Sequence, residues 1–388
     1  CVTRRQRQMC IRDRYWSSLD LINKKNIHSI SFNEASERLE SVLSMSIKKQ
    51  LISDVPIGAF LSGGIDSSLI TALMQKEVSE DIKTFTIGFS DKGYDESKYA
   101  NNISSYLNTD HTELIMSEND VLKIMPNLNN VYSEPFADAS QIPTLLVSRL
   151  AKSNVSVALS GDGADELFGG YDRYITAPLL WKKINKIPFS IRSKAASFIL
   201  SNSVFRNIIS EKLASASSKI MNIQYEYDLF ESLSSGYDDL SKIYNYPLEI
   251  ESNRHHDSIW SNNNLRFEEK MMYSDMKTFL QDDILCKVDR ASMSCSLEVR
   301  TPFLHKKVLE EAIKIPFSYK IQDKSSKYIL KYILQKHIPK NLIDRPKKGF
   351  VMPLQKWISG PLNKDFNQSF SDESFNHNLI NIKTAQSM

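Results

Sequence analysis

The sequence predicts an α/β fold, a doubly wound parallel sheet with a mainly helical C-terminal half. Two observations predict it. Between residues 55 and 160, short β-branched or apolar runs alternate with helical stretches, the βαβ order of a parallel sheet. The chain is also poor in glycine, with 12 in 388 residues, yet half of these sit at positions 63, 64, 161, 163, 169 and 170. Glycine concentrated in this way marks special backbone, either tight turns or loops that cradle an anion.

Residues 31–52 read as an amphipathic helix with Leu39, Val42, Leu43 and Ile47 on its apolar face. Strand 57–61 follows, with Pro56 near its start. Ile65, Leu69 and Leu73 then recur at helical spacing, joined by Ala72, Met74 and Val78, which gives a helix over 65–78. Next come strand 84–89, helix 95–107, strand 112–116, helices around 119–131 and 141–152, and strand 155–159 with its alternating Val155, Val157 and Leu159. Residues 171–280, rich in Asn, Ser, Lys and Ile, read as mainly helical and say least. No internal repeat is present.

The first glycine segment, Ser62-Gly63-Gly64-Ile65-Asp66-Ser67-Ser68, lies between a strand and a helix N-terminus. Free backbone N–H groups and the helix dipole suit that place to phosphate. The hydroxyls of Ser62, Ser67 and Ser68 add donors, and Leu61 leads into the loop. Asp66 would repel phosphate unless a divalent cation sits between them, and Mg²⁺ binds one or two carboxylates plus phosphates. No lysine follows, so this is not a Walker A loop. A plain glycine turn capped by Ser67 or Asp66 is the structural alternative.

The second segment, Ser160-Gly161-Asp162-Gly163-Ala164-Asp165-Glu166, again follows a strand. Three carboxylates crowd into it, a costly arrangement without a cation or a protonated member. In an open parallel sheet ligands bind beyond the carboxyl ends of the strands, so the two loops can converge on one nucleotide. The alternative is an acidic, solvated turn.

The first loop resembles the pyrophosphate loop of the ATP pyrophosphatases. The two loops in this order resemble the synthetase domain of the class B, glutamine-hydrolysing asparagine synthetases. Further stretches are similar to that family: Thr84–Phe89; Ser133-Glu134-Pro135-Phe136-Ala137-Asp138 with Ile142-Pro143; Leu285–Met293; Leu297–Leu304; Lys324–Lys331; and Arg345–Phe350. The resemblance runs from about Tyr15 to about Trp357.

The resemblance implies a PP-loop ATP pyrophosphatase fold and a specific chemistry. The side-chain carboxylate of L-aspartate attacks the α-phosphorus of ATP, β-aspartyl-AMP and pyrophosphate form, and ammonia derived from glutamine displaces AMP. On this reading Asp66 and Asp165 carry Mg²⁺ and pyrophosphate. Leu61, Ser62, Gly63, Gly64, Ser67, Ser68, Ser160 and Gly161 surround the nucleotide, and Ile87 meets adenine. Lys327 faces the α-phosphate, with a solvated helix lysine as its structural alternative. Asp165, Glu166, Lys287, Asp289, Arg290 and Arg300 belong to the substrate side, with Glu298 and Arg300 equally readable as a structural ion pair. Asp162 departs from the glutamate that many members carry there, assigned to activating ammonia or positioning the intermediate; its shorter side chain leaves the acceptor open.

Residues 1–14 hold five arginines and one acid and read as a non-native or disordered segment, with a nucleic-acid-binding arm as the functional alternative. Cys1 followed by Val-Thr-Arg does not match the family's N-terminal nucleophile, so the glutaminase domain is expected to be absent. The expected organisation is a synthetase domain over 15–360, with a nucleotide-binding core about 50–175, a helical substrate side about 176–360 and a poorly ordered or truncated tail over 361–388. Near-neutral charge outside the basic start argues against a nucleic-acid partner, and no run of ~18 apolar residues predicts a membrane span. The four cysteines show no zinc spacing and fit a reducing cytoplasm. His111 is read as structural, and a homodimer is the expected assembly. Against the aspartate reading stand two others: a related amidotransferase adenylating a sugar, peptide or β-lactam precursor, and a catalytically silent scaffold.

Overall fold

The computed structural model describes residues 15–23, 30–90, 95–134, 138–201, 221, 223–234, 257–344, 354–360, 362–364, 367–368 and 381. The basic start, Pro135–Ala137, Arg345–Phe350 and nearly all of the tail lie outside them.

Five parallel strands form the sheet, in the order β3-β2-β1-β4-β5. β1 is Ile57–Phe60, β2 Lys83–Phe89, β3 Asp110–Met116, β4 Val157–Leu159 and β5 Glu298–Arg300. This is the doubly wound arrangement expected: successive strands step outward from β1 to β3, and the chain then returns to place β4 on the other side of β1. The reversal lies between β1 and β4, where Ala59 pairs with Leu159. Connections leaving these two strands run toward opposite edges of the sheet, which places a ligand crevice beyond their carboxyl ends.

Helices cover both faces. The helix Phe32–Gln50 starts with Ser31 accepting from the Glu34 backbone N–H and buries Leu39, Leu43 and Ile47 completely. It packs in one core with the helix Ile65–Glu77, whose Leu69 and Leu73 are also fully buried. Each such leucine contributes about 1.5–3 kcal/mol by leaving water. The helix Gln141–Lys152 covers the opposite side of β2 through Ile142, Leu145 and Leu146, together with Ile87 and Phe89.

Three expectations change in detail. The helix around 119–131 is broken into Glu118–Ile124, a 3₁₀ turn over Met125–Asn127 and Leu128–Val131. Pro126 lies in that turn and has no N–H to continue the α-helical ladder. Strand β3 begins at Asp110 rather than 112, because the Asp110 N–H donates to the Ile82 carbonyl. The sequence predicts no strand beyond 155–159, but Glu298–Arg300 is the fifth strand and pairs with β4. Its three residues are too short and too charged to show strand alternation in the sequence.

Candidate active site

A cavity of about 270 Å³ opens beyond the carboxyl ends of β1 and β4 and against the middle of β2. Its walls include Leu61, Ser62, Asp66 and Ser67 from the first loop and Ser160, Gly161, Asp162, Asp165 and Glu166 from the second. The two motifs, about a hundred residues apart, therefore meet as the sheet topology requires.

The first loop is held by its own hydroxyls. Ser62 Oγ and Ser67 Oγ lie 3.0 Å apart, the Ser62 N–H donates to Ser67 Oγ, and the Gly64 N–H donates to Ser62 Oγ. Gly64 precedes the first turn of the helix Ile65–Glu77, so that helix points its N-terminus at the cavity. The loops touch: a Cβ on Gly161 would come within 2.9 Å of both Asp66 Cβ and the Ser67 nitrogen. A glycine here lets the second loop lie against the first.

Lys327 joins the loops chemically. Its ammonium lies 2.8 Å from Asp165 Oδ1 and also pairs with Asp66 Oδ2. The side chain is 4% exposed, so the solvated-helix alternative is excluded. Burial works against its charge, but Asp165 and Asp66 outweigh that and hold its pKa above the usual lysine value. Lys327 sits at the N-cap of the helix Tyr328–Leu334 in a left-handed conformation, with φ 54°. Gly170 makes room for this group, since a Cβ there would overlap both the Asp165 carboxylate and the Lys327 stem. A pair of carboxylates that grips one ammonium is also near enough to share one divalent cation with phosphate oxygens, so the donor set fits Mg²⁺. Among the described residues no cluster of three or more His, Cys, Asp or Glu forms a self-sufficient metal site.

At the cavity's other end, Lys287 is 8% exposed and lies 2.5 Å from Asp138 Oδ2. Asp138 Oδ1 accepts from the Ser140 N–H and hydroxyl, each at 2.7 Å. Burial opposes the Asp138 charge, yet Lys287 and Ser140 hold its pKa below the usual range. Asp283, hydrogen-bonded to Asp138, is pushed up to about 6 by burial and by that neighbouring carboxylate. Glu166 is almost fully buried and accepts from Tyr171 Oη at 2.6 Å; burial raises it to about 7. Asp162 accepts from Ser160 Oγ at 2.5 Å, and burial raises its pKa against the pull of that bond.

The remaining residues singled out in the sequence are scattered more widely. Ile87 lies in the cavity wall with Phe60, Phe85 and Thr86. Gly63 and Gly64 shape the loop without lining the cavity, and the Ser68 hydroxyl is fully buried without a hydrogen-bond partner among the described residues. Asp289 and Arg290 point to solvent, because Ile284, Lys287 and Val288 take the inward face of that stretch. Arg300 does not line the cavity: it pairs with Glu298 at 2.6 Å and donates to the Gln50 and Ile52 carbonyls, a structural tie. His111, as expected, is held in the sheet by Thr84. Sequence reasoning missed the role of Asp138, although its motif was singled out, and missed Tyr171, which directly follows the glycine pair of the second loop.

Comparison with known proteins identifies a family. The Asparagine synthase family model matches residues 38–387. "Asparagine synthetase [glutamine-hydrolyzing] 1" of Bacillus subtilis (strain 168) is 32% identical over 330 residues, covering 82% of this chain and 50% of that protein. A "Putative asparagine synthetase [glutamine-hydrolyzing]" of Mycobacterium tuberculosis (strain ATCC 25618 / H37Rv) is 31% identical, covering 83% and 49%. "Amidase chyE" of Penicillium rubens is 25% identical over 93% of this chain and 58% of that protein. The chain thus spans about half the length of these asparagine synthetase relatives. From the two loops, the sheet order that joins them and the extent of the family match, the chain belongs to the Asparagine synthase family.

Proposed function

We propose that this chain carries ATP-dependent amide synthesis: adenylation of the side-chain carboxylate of L-aspartate, then attack by ammonia to give L-asparagine, AMP and pyrophosphate. The observation that carries the reading is the convergence of Asp66, Asp165 and Lys327 where the two loops meet. The helix N-terminus after Gly64, with Ser62 and Ser67, supplies donors for phosphate oxygens. Ile87 and Phe60 give an apolar wall for adenine. Asp66 and Asp165 would hold Mg²⁺, which offsets negative charge on phosphate.

In the first step an aspartate carboxylate oxygen bonds to the α-phosphorus and the bond to pyrophosphate breaks. Lys327 provides a fixed positive charge in a site largely shielded from water, where it counts most. In the second step ammonia attacks the acyl carbon, AMP leaves, and a proton departs from nitrogen. The acceptor end suits an amino-acid headgroup: Lys287 offers a cation for its carboxylate, and Glu166 and Asp162 offer acceptors for its ammonium. Ammonia comes from glutamine through a glutaminase partner domain, or from solution.

A second reading keeps the adenylation and changes the carboxylate. Asp162, one methylene shorter than the family's common glutamate, favours it. The test is pyrophosphate release from Mg-ATP and ammonium, with and without L-aspartate. Aspartate-dependent release with asparagine formed is the expected result. A folded protein that binds ATP and responds instead to another carboxylate would replace the aspartate reading with the second one. Folded protein that neither binds nor cleaves ATP would leave a silent scaffold.

A further inference from the structure

Behind the acceptor end lies a buried polar network that no part of the mechanism above uses. Asp275, on the helix Phe267–Lys277, is 1% exposed. One of its carboxylate oxygens lies 2.9 Å from Arg173 Nη2; the other accepts from Arg173 Nε at 3.3 Å and from Tyr174 Oη at 2.5 Å. The Arg173 guanidinium lies 4.5 Å from the centre of the Tyr171 ring and 5.2 Å from that of Phe279. Phe279 meets Tyr171 edge-on at 5.7 Å. Tyr171 in turn donates to Glu166, and both line the cavity. Arg173, Asp275 and Phe279 do not line it.

We propose that Arg173 and Asp275 are positioning residues, which fix the Tyr171 ring and through it aim the Glu166 carboxylate at the ammonium of the acceptor. The physical case has three parts. A phenol can hold a carboxylate at one angle only if its own ring is fixed, and rings packed by a guanidinium and a second aromatic have little freedom. The guanidinium is fixed in turn by a two-pronged contact with a carboxylate, a geometry that lysine cannot reproduce. Asp275 belongs to the helical half and Glu166 to the short helix Ala164–Phe168 after β4, so the network also sets the distance between the two across the acceptor. Burial and the Glu166 charge keep Tyr171 a phenol, and hence a donor.

The inference rests on the adenylation reading and deepens it. The test compares wild type with Arg173→Lys, Tyr171→Phe and the double variant, measuring KM for aspartate and for ATP separately from kcat. Arg173→Lys keeps a positive charge beside Asp275 but loses the two-pronged contact and the planar group against the Tyr171 ring, whereas Tyr171→Phe keeps the ring and loses only the phenol. Each single variant is expected to raise KM for aspartate about tenfold, the worth of one well-placed hydrogen bond, with KM for ATP unchanged. The double variant is expected to match Tyr171→Phe alone, because Arg173 acts through that phenol. Equal shifts in both KM values, no shift, or fully additive effects would overturn the positioning role. Wild-type protein with no aspartate-dependent turnover would instead strike the parent reading, and this inference with it.

Discussion

The proposed nucleotide end of the cavity is shaped by backbone and local hydroxyls with one distant side chain added, Lys327, which reaches Asp66 across 261 positions. The proposed acceptor end instead combines Glu166 and Asp162 of the second loop with partners brought from far along the chain. At the first, two loops follow adjacent strands, glycines let them touch, and the serines and carboxylates come from within each loop. At the second, Lys287 reaches Asp138 across 149 positions in the chain, and behind the cavity Tyr174 reaches Asp275 across 101. The difference bears on how each end can change. Backbone geometry set by strand order tolerates little variation, so it suits a cosubstrate that stays the same. Side-chain pairs can be exchanged one at a time, so that end can change its ligand without rebuilding the loops.

The largest expected effect is at the nucleotide end. Asp66→Asn or Asp165→Asn should each abolish pyrophosphate release while leaving a folded protein; near-normal release from either variant would remove these residues from the site. Lys327→Gln should lower turnover by about a hundredfold or more. Without nucleotide it should also lower stability by about 3 kcal/mol, because two carboxylates lose their buried cation. Millimolar Mg²⁺ should then restore more melting temperature to this variant than to wild type. Equal responses to Mg²⁺ would mean that lysine and metal do not share the carboxylate pair.

Gly161→Ala tests whether loop contact, rather than loop sequence, makes the nucleotide end. Its new Cβ would meet Asp66 and Ser67 and should push the loops apart, a cost of about 1–3 kcal/mol. KM for ATP should rise roughly tenfold, with KM for aspartate less affected; an unchanged KM for ATP would refute the contact. The smallest effect belongs to the acceptor end. Asp283 holds its proton more tightly in the folded chain than in the unfolded one, up to about 6. Its contribution is therefore complete at acid pH and declines as pH rises through that value. Asp283→Asn removes the penalty and should be more stable than wild type above pH ~6 by about 1 kcal/mol, allowing for the residue's half-exposure. The two proteins should converge near pH ~4, which chemical denaturation at two pH values would check.

How legible each end was in the sequence follows from the same contrast. Ser62–Ser68 and Ser160–Glu166 could be read because their chemistry is contiguous and each follows a recognisable strand. Strand order then brings them together without any further information. Asp138 ends a motif already singled out, yet nothing local says that it will meet Lys287; the Tyr171–Glu166 contact spans only five residues, but no pattern in the sequence marks a phenol as the partner of that carboxylate. Arg173 and Asp275 lie in the stretch that said least, where amphipathic helices leave their partners unspecified. Arg300 shows the converse: a charged motif next to the expected acceptor region turns out to tie strand β5 to Gln50 and Ile52. Its strand could not be seen because three residues with two charges carry no alternation.

The most direct test of the central claim follows oxygen. L-Aspartate labelled with ¹⁸O in its side-chain carboxylate is turned over with ATP, Mg²⁺ and ammonium, and the products are weighed by mass spectrometry. If that carboxylate attacks the α-phosphorus in this cavity, AMP carries one labelled oxygen, pyrophosphate carries none, and asparagine retains the other. Label-free AMP, or ADP and phosphate in place of AMP and pyrophosphate, would contradict the account.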